Sequence, residues 1–315
     1  MEEIYIPSTD QKNRLHVVIW KPEGESRAVL QISHGMVEYT ERFHAFARFL
    51  NQAGILVIGN DHLGHGKTAG CAADLGYIGA GKSRTVVDDL YKVTAFAKEK
   101  YGKLPYFLFG HSMGSFLARR YLMTYGEALD GAILSGTGFT PGTVLHAGRL
   151  IAGWMKLIYG ERHRSAFLKK LSFQGYLNRI ENPRTANDWL THDPAIVDRY
   201  NADKFCTYTF TVNGYQTLFD VLRYIQNPKH VEKIPGNLPI FLISGAEDPV
   251  GAYGEGVKKV YESYRASGIR DVRMRLYQGK RHELTNEIGK EDIFADIKEW
   301  IFSHVKSCAG SRTAE

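Results

Sequence analysis

The chain has only three cysteines in 315 residues, Cys71, Cys206 and Cys308, odd in number and widely spaced. That excludes a disulfide scaffold and suits free thiols in a reducing compartment. No apolar run approaches the roughly 20 residues that span a bilayer. The acidic start Met1-Glu2-Glu3 lacks the basic and apolar regions of a secretory signal. Both absences predict an intracellular, cytoplasmic protein. Also missing is a dense basic run with interleaved aromatics. The net charge of +6 is modest, and most of it lies in residues 140–235, so no nucleic-acid partner is expected. A mildly basic stretch of that kind suits a solvated face or peripheral contact with an anionic lipid surface. Oligomeric state is not legible. Repeats, low-complexity tracts and flexible linkers are absent as well.

What is present is an alternation. Strand-like runs at 15–20, 28–33, 55–58, 105–109, 131–135, 238–244 and 272–277 are interleaved with amphipathic helical stretches at 39–53, 83–101, 116–125, 255–265 and around 293–301. Continuous apolar strands in β-then-α order predict a mostly parallel sheet with helices on both faces. The rhythm breaks from 139 to 235, where helical stretches occur without a buried-strand signal. The expected organisation is therefore a core at 1–138 and 236–306, an inserted helical cap at 139–235 and a frayed polar tail at 307–315.

Gly110-His111-Ser112-Met113-Gly114 follows one of these strands and precedes a helix. In that context Gly-x-Ser-x-Gly is a nucleophile elbow, a turn so tight that the residues two either side of the serine must be small. A serine hydroxyl is a weak nucleophile near neutrality, so it needs a base, and the base needs an orienting acid. In the chain order serine, acid, histidine, Asp248 follows the strand at 238–244 and His282 the strand at 272–277. Both loops leave the carboxyl ends of strands, where open parallel sheets bind ligands. Glu247 is the alternative acid. His111 reads as a packing neighbour. His62 and His65, in Asp61-His62-Leu63-Gly64-His65-Gly66, read as part of a structural loop without a third metal ligand. The oxyanion donors are the amides of Met113, just after the nucleophile, and Met36, in the loop after the third strand. Candidate pocket residues are His34, Gly35 and His111 beside them, with Trp154 and Met155 from the cap. This chemistry calls for no metal and no cofactor.

His34-Gly35-Met36, the loop 61–66, the elbow, Gly245-Ala246-Glu247-Asp248-Pro249 and His282 together resemble the monoacylglycerol lipase and lysophospholipase family of α/β hydrolases, from about residue 10 to 305. The resemblance implies an α/β-hydrolase fold, with a mostly parallel eight-stranded sheet and a helical cap over an acyl pocket. It implies metal-free hydrolysis of carboxylic esters through an acyl-enzyme, on single-chain lipid esters such as monoacylglycerols or lysophospholipids. Short-chain carboxylesterases, thioesterases and aminopeptidases share the scaffold, and a non-catalytic binding protein would have lost one of the three residues. Val37-Glu38-Tyr39 stands where the family often has a second glycine and a small residue. The apolar cap helix at 145–159 has three open roles: docking on the core, lining an acyl tunnel, or dipping into lipid. Arg162, Arg164, Lys169 and Lys170 are candidates to meet a phosphate head group.

Overall fold

The computed structural model describes the backbone of residues 1–311 and the side chains through residue 305. Eight strands, β1 (Glu2–Pro7), β2 (Arg14–Trp20), β3 (Ala28–Ser33), β4 (Ile55–Asn60), β5 (Tyr106–His111), β6 (Gly131–Ser135), β7 (Ile240–Gly245) and β8 (Val272–Tyr277), form one sheet ordered β1-β2-β4-β3-β5-β6-β7-β8. β2 pairs antiparallel with β1 and with β4, and all the other pairs are parallel. This is the mostly parallel sheet expected from the alternation, with the eight strands that the resemblance implies. β1 was not legible as a strand: it opens on two acids, its side chains alternate between half-buried and exposed, and it lies at the sheet edge. An edge strand lacks the apolar run that marks its buried neighbours.

Helices α1 (His44–Gln52) and α10 (Lys290–Ser311) cover one face, and α2 (Lys82–Tyr101), α3 (Met113–Tyr125) and α9 (Glu255–Ala266) the other. The pleat of β5 divides its residues between these layers. Phe107 and Phe109 meet Trp300 of α10 and Phe46 of α1, whereas Leu108 joins Leu117 and Tyr121 of α3. Truncating Phe107 to alanine in so dense a layer costs about 3–5 kcal/mol. α10 runs to Ser311, so residues 307–311 of the expected tail are helical, and 312–315 lie outside the described residues.

Between β6 and β7 the chain forms α4 (Gly142–Tyr159), α5 (Ala166–Ser172), α6 (Pro194–Ala202), α7 (Val212–Ile225) and α8 (Pro228–Val231) and adds no strand to the sheet. α6 begins where the Asp193 carboxylate accepts the Ala195 and Ile196 N–H groups and Pro194 sets the first helical φ. Leu145 and Ala152 of α4, Leu168 of α5 and Tyr215, Val221 and Leu222 of α7 join the same apolar cluster as α2 and α3. α4 is two-sided: Leu145, Gly148 and Ala152 are buried, while Leu150, Trp154, Leu157 and Ile158 face outward. Among the described residues no helix is long and apolar enough to cross a membrane.

Candidate active site

β5 ends at His111 and α3 begins at Met113, so Ser112 alone joins strand to helix. Its backbone sits at φ 53°, ψ −123°, a costly conformation for any residue with a side chain. The Ser112 N–H donates to the Ser135 carbonyl at 2.9 Å, and Ser115 Oγ donates to the Ser112 carbonyl at 2.6 Å. Position 114 admits only glycine, because a β-carbon there would fall 1.9 Å from the Ser33 carbonyl oxygen. The elbow therefore presses against the end of β3 and leaves Ser112 half-buried on a cavity wall.

Asp248 and His282 follow the adjacent strands β7 and β8. Both are buried, with His282 Nδ1 2.9 Å from Asp248 Oδ2. Ser244 Oγ donates to Oδ2 at 3.1 Å and the Val250 N–H to Oδ1 at 2.8 Å, so the carboxylate is held on both oxygens. Burial works against a charged His282, but the negative charge and hydrogen bond of Asp248 outweigh it and raise its pKa above the ordinary imidazole value. Burial likewise pushes Asp248 up, and His282 with the other donors brings it below the usual carboxylate range. With Nδ1–H given to Asp248, Nε2 has no hydrogen-bond partner, and the ring lines the same cavity as Ser112. Glu247, the alternative acid, is half exposed and reaches His192 instead, at 3.1 Å.

The loop after β3 passes close to Ser112. A β-carbon on Gly35 would lie 3.1 Å from Ser112 Cβ, and Val37 takes a left-handed φ of 57°. Met36 and Met113 both line the cavity, and the Met113 N–H belongs to the first turn of α3, where backbone donors lack intrahelical partners. Glu38 accepts the Gly35 N–H and pairs with Arg42 at 2.7 Å. The same guanidinium forks onto both oxygens of Glu283 at 2.7 Å. One arginine thus ties the Gly35 loop to the residue after His282. Burial pushes Glu38 up to about 7, whereas Arg42 more than reverses the effect of burial on Glu283 and holds it low. His111 lies with its ring 4.7 Å from that of His282, and burial followed by the His282 charge brings it down to about 3, so it is neutral.

The cavity has a volume of about 540 Å³, and Gly35 and His111 line it as expected. Three other candidates do not. His34 turns beneath the loop, with Nδ1 2.8 Å from the Gly35 carbonyl and Nε2 accepting the His62 N–H at 2.9 Å; it braces the 61–66 loop. Trp154 is 66% exposed on the outer face of α4. Met155 packs against the core near Ser165. The wall comes instead from Tyr176 and Trp189, the latter with its ring 5.0 Å from that of His282. No periodicity marks those two aromatics, and they lie outside regular helices. Two groups of metal-ligating side chains converge among the described residues, Glu3/His16/Glu41 and Glu38/His111/Glu283. Each already holds a side-chain cation, Lys67 in the first and Arg42 in the second.

Residues 24–289 match the family described as serine aminopeptidase, S33. The chain belongs to that family. It is 26% identical over 300 residues to the monoglyceride lipase of Rattus norvegicus, covering 93% of this chain and 88% of that one. It is 25% identical over 290 residues to the monoacylglycerol lipase of Mycolicibacterium smegmatis, covering 91% and 92%. A thermostable carboxyl esterase from Bacillus coagulans, solved with glycerol, superposes with a TM-score of 0.88 at 31% identity over 97% of this chain and 98% of that one. The protein is a carboxylic ester hydrolase of the α/β-hydrolase fold.

Proposed function

We propose that the protein is a serine esterase for single-chain lipid esters, a monoacylglycerol or lysophospholipid, with Ser112 as nucleophile, His282 as general base and Asp248 as its orienting acid. One observation carries this reading: a buried 2.9 Å Asp248–His282 hydrogen bond beside a cavity that Ser112 also lines. Ser112 Oγ attacks the ester carbonyl and its proton passes to His282 Nε2, while Asp248 stabilises the imidazolium. The amides of Met36 and Met113 receive the oxyanion. Collapse expels the alcohol, protonated from Nε2. Water, giving its proton to the same nitrogen, then releases the carboxylic acid and restores Ser112. No step requires a metal or cofactor.

The substrate class rests on the walls. Met36, Met113, Phe116, Leu177, Leu190 and Leu218 offer one apolar enclosure, of a size that suits a single small-molecule guest. Lys169 and Lys170 also line it and supply charge for a phosphate head group. The relatives named for monoacylglycerol hydrolysis support the same class. Leu150, Trp154, Leu157 and Ile158 on the outside of the cap support peripheral contact with a lipid surface. The free cysteines Cys71 and Cys206 support a cytoplasmic setting.

A fluorophosphonate probe is expected to label the wild type and not Ser112→Ala; labelling that survives the substitution overturns the nucleophile. Monoacylglycerols and lysophospholipids should turn over faster than acetyl or butyryl p-nitrophenyl esters. The reverse order makes the protein a short-chain carboxylesterase, and turnover of peptide anilides alone an aminopeptidase.

A further inference from the structure

His192 lies in the cap just before α6, with each ring nitrogen against a carboxylate from the core. Nδ1 is 3.0 Å from Glu287 Oε1 and Nε2 is 3.1 Å from Glu247 Oε2. A neutral imidazole carries one N–H and one lone pair, and an ionised carboxylate only accepts. Nδ1–H therefore donates to Glu287, while Nε2 approaches Glu247 in a close contact rather than a hydrogen bond. Glu287 is fully buried and otherwise meets donors alone: the N–H groups of Arg281 at 2.7 Å, Ile288 at 3.1 Å and His192 itself at 3.2 Å. Glu247 is half exposed, so solvent screens its contact. The buried Glu287 contact is the stronger anchor.

What this bridge holds is the mounting of His282. Trp189 lies against the His282 ring, the Leu190 carbonyl accepts the Glu283 N–H at 2.7 Å, and Arg281 donates to the carbonyls of Asp188 at 2.7 Å and Thr191 at 3.2 Å. Thr191 Oγ1 donates to the Asn286 carbonyl at 3.1 Å. Residues 188–192 of the cap thus embrace 281–287 of the core. Glu247 is next to Asp248, and Glu287 closes the loop that carries His282.

We infer that His192 is a positioning residue: its ring latches cap segment 188–192 onto the two loops that carry Asp248 and His282. The inference rests on the proposed roles of those two residues. The carboxylates that face the His192 ring are Glu247 after β7 and Glu287 before α10. Removal of the ring takes away the Nδ1–H bond to Glu287 and the contact with Glu247. Trp189 and Leu190 then loosen around the base.

The test measures kcat and KM for a soluble p-nitrophenyl ester in wild type, His192→Ala and His192→Asn. His192→Ala should have about tenfold lower kcat with little change in KM, the size expected for one charge-assisted hydrogen bond. His192→Asn, whose side-chain amide keeps a donor for Glu287, should recover most of that loss. Equal kcat in all three proteins overturns the latch while Ser112 labelling stands. A wild type that neither labels nor hydrolyses overturns the catalytic reading instead.

Discussion

Replacing Asp248 by asparagine tests the site where its geometry is most constrained. Oδ1 accepts the Val250 N–H, so the asparagine must place its carbonyl there and its amide nitrogen where Oδ2 stood. That nitrogen then donates to His282 Nδ1, 2.9 Å away in the wild type. The imidazole is driven to the tautomer with its proton on Nε2, and in that form it cannot accept from Ser112. A wrong-tautomer base of this kind loses about 10⁴-fold in kcat, or about 5 kcal/mol of transition-state stabilisation. The pH dependence carries a second signature. In the wild type the Asp248 charge raises the His282 pKa despite burial, so kcat/KM falls with decreasing pH from above the ordinary imidazole range. In Asp248→Asn burial is opposed only by the weaker pull of the Glu283 and Glu38 charges, and the acid limb moves to lower pH. Stopped-flow and steady-state hydrolysis of a p-nitrophenyl ester, with a thermal melt to confirm folding, measures both. Activity within tenfold of wild type, with the acid limb unmoved, would refute the reasoning.

Arg42→Met leaves Glu38 and Glu283 buried without their shared cation, a change that costs about 3–5 kcal/mol and lowers Tm by about 5–8 °C for a chain of this length. The penalty should be greatest at alkaline pH and shrink on acidification, because burial already raises Glu38 and Arg42 is what opposes it; calorimetry at two pH values reads it. Leu157→Glu, at a residue 85% exposed, should leave Tm and soluble-ester hydrolysis unchanged. Its sedimentation with anionic lipid vesicles should fall about tenfold, as expected for losing one inserted leucine; unchanged sedimentation removes α4 from the lipid-contact proposal.

The inner strands were legible because apolar residues dominate each of them, and alternating edge strand β8 because its apolar residues recur at every second position; both requirements are local. β1 was not, since an edge strand of alternating, acid-rich residues satisfies only one face of the sheet. The elbow was legible for a steric reason read from five residues, and the Ser33 carbonyl beside Gly114 is that reason in space. His34 was assigned to the pocket from its nearness in sequence to the loop at 35–38, but the direction of a side chain at a strand end depends on which neighbour offers a partner. His62 and the Gly35 carbonyl hold its ring beneath the loop. Trp154 and Met155 were placed by composition alone, which does not say which side of an apolar helix faces in.

Chain order and local pattern by themselves determined the sheet, the interruption by helices, and the candidacy of Ser112, Asp248 and His282, because each depends on periodicity or turn sterics within a few residues. Only the tertiary structure decided that Asp248 rather than Glu247 meets His282, that Tyr176 and Trp189 wall the cavity, and that Arg42 and His192 join loops distant in the chain. Those contacts arise from how separate loops leave neighbouring strand ends and how the cap settles on them, and no local pattern encodes that meeting.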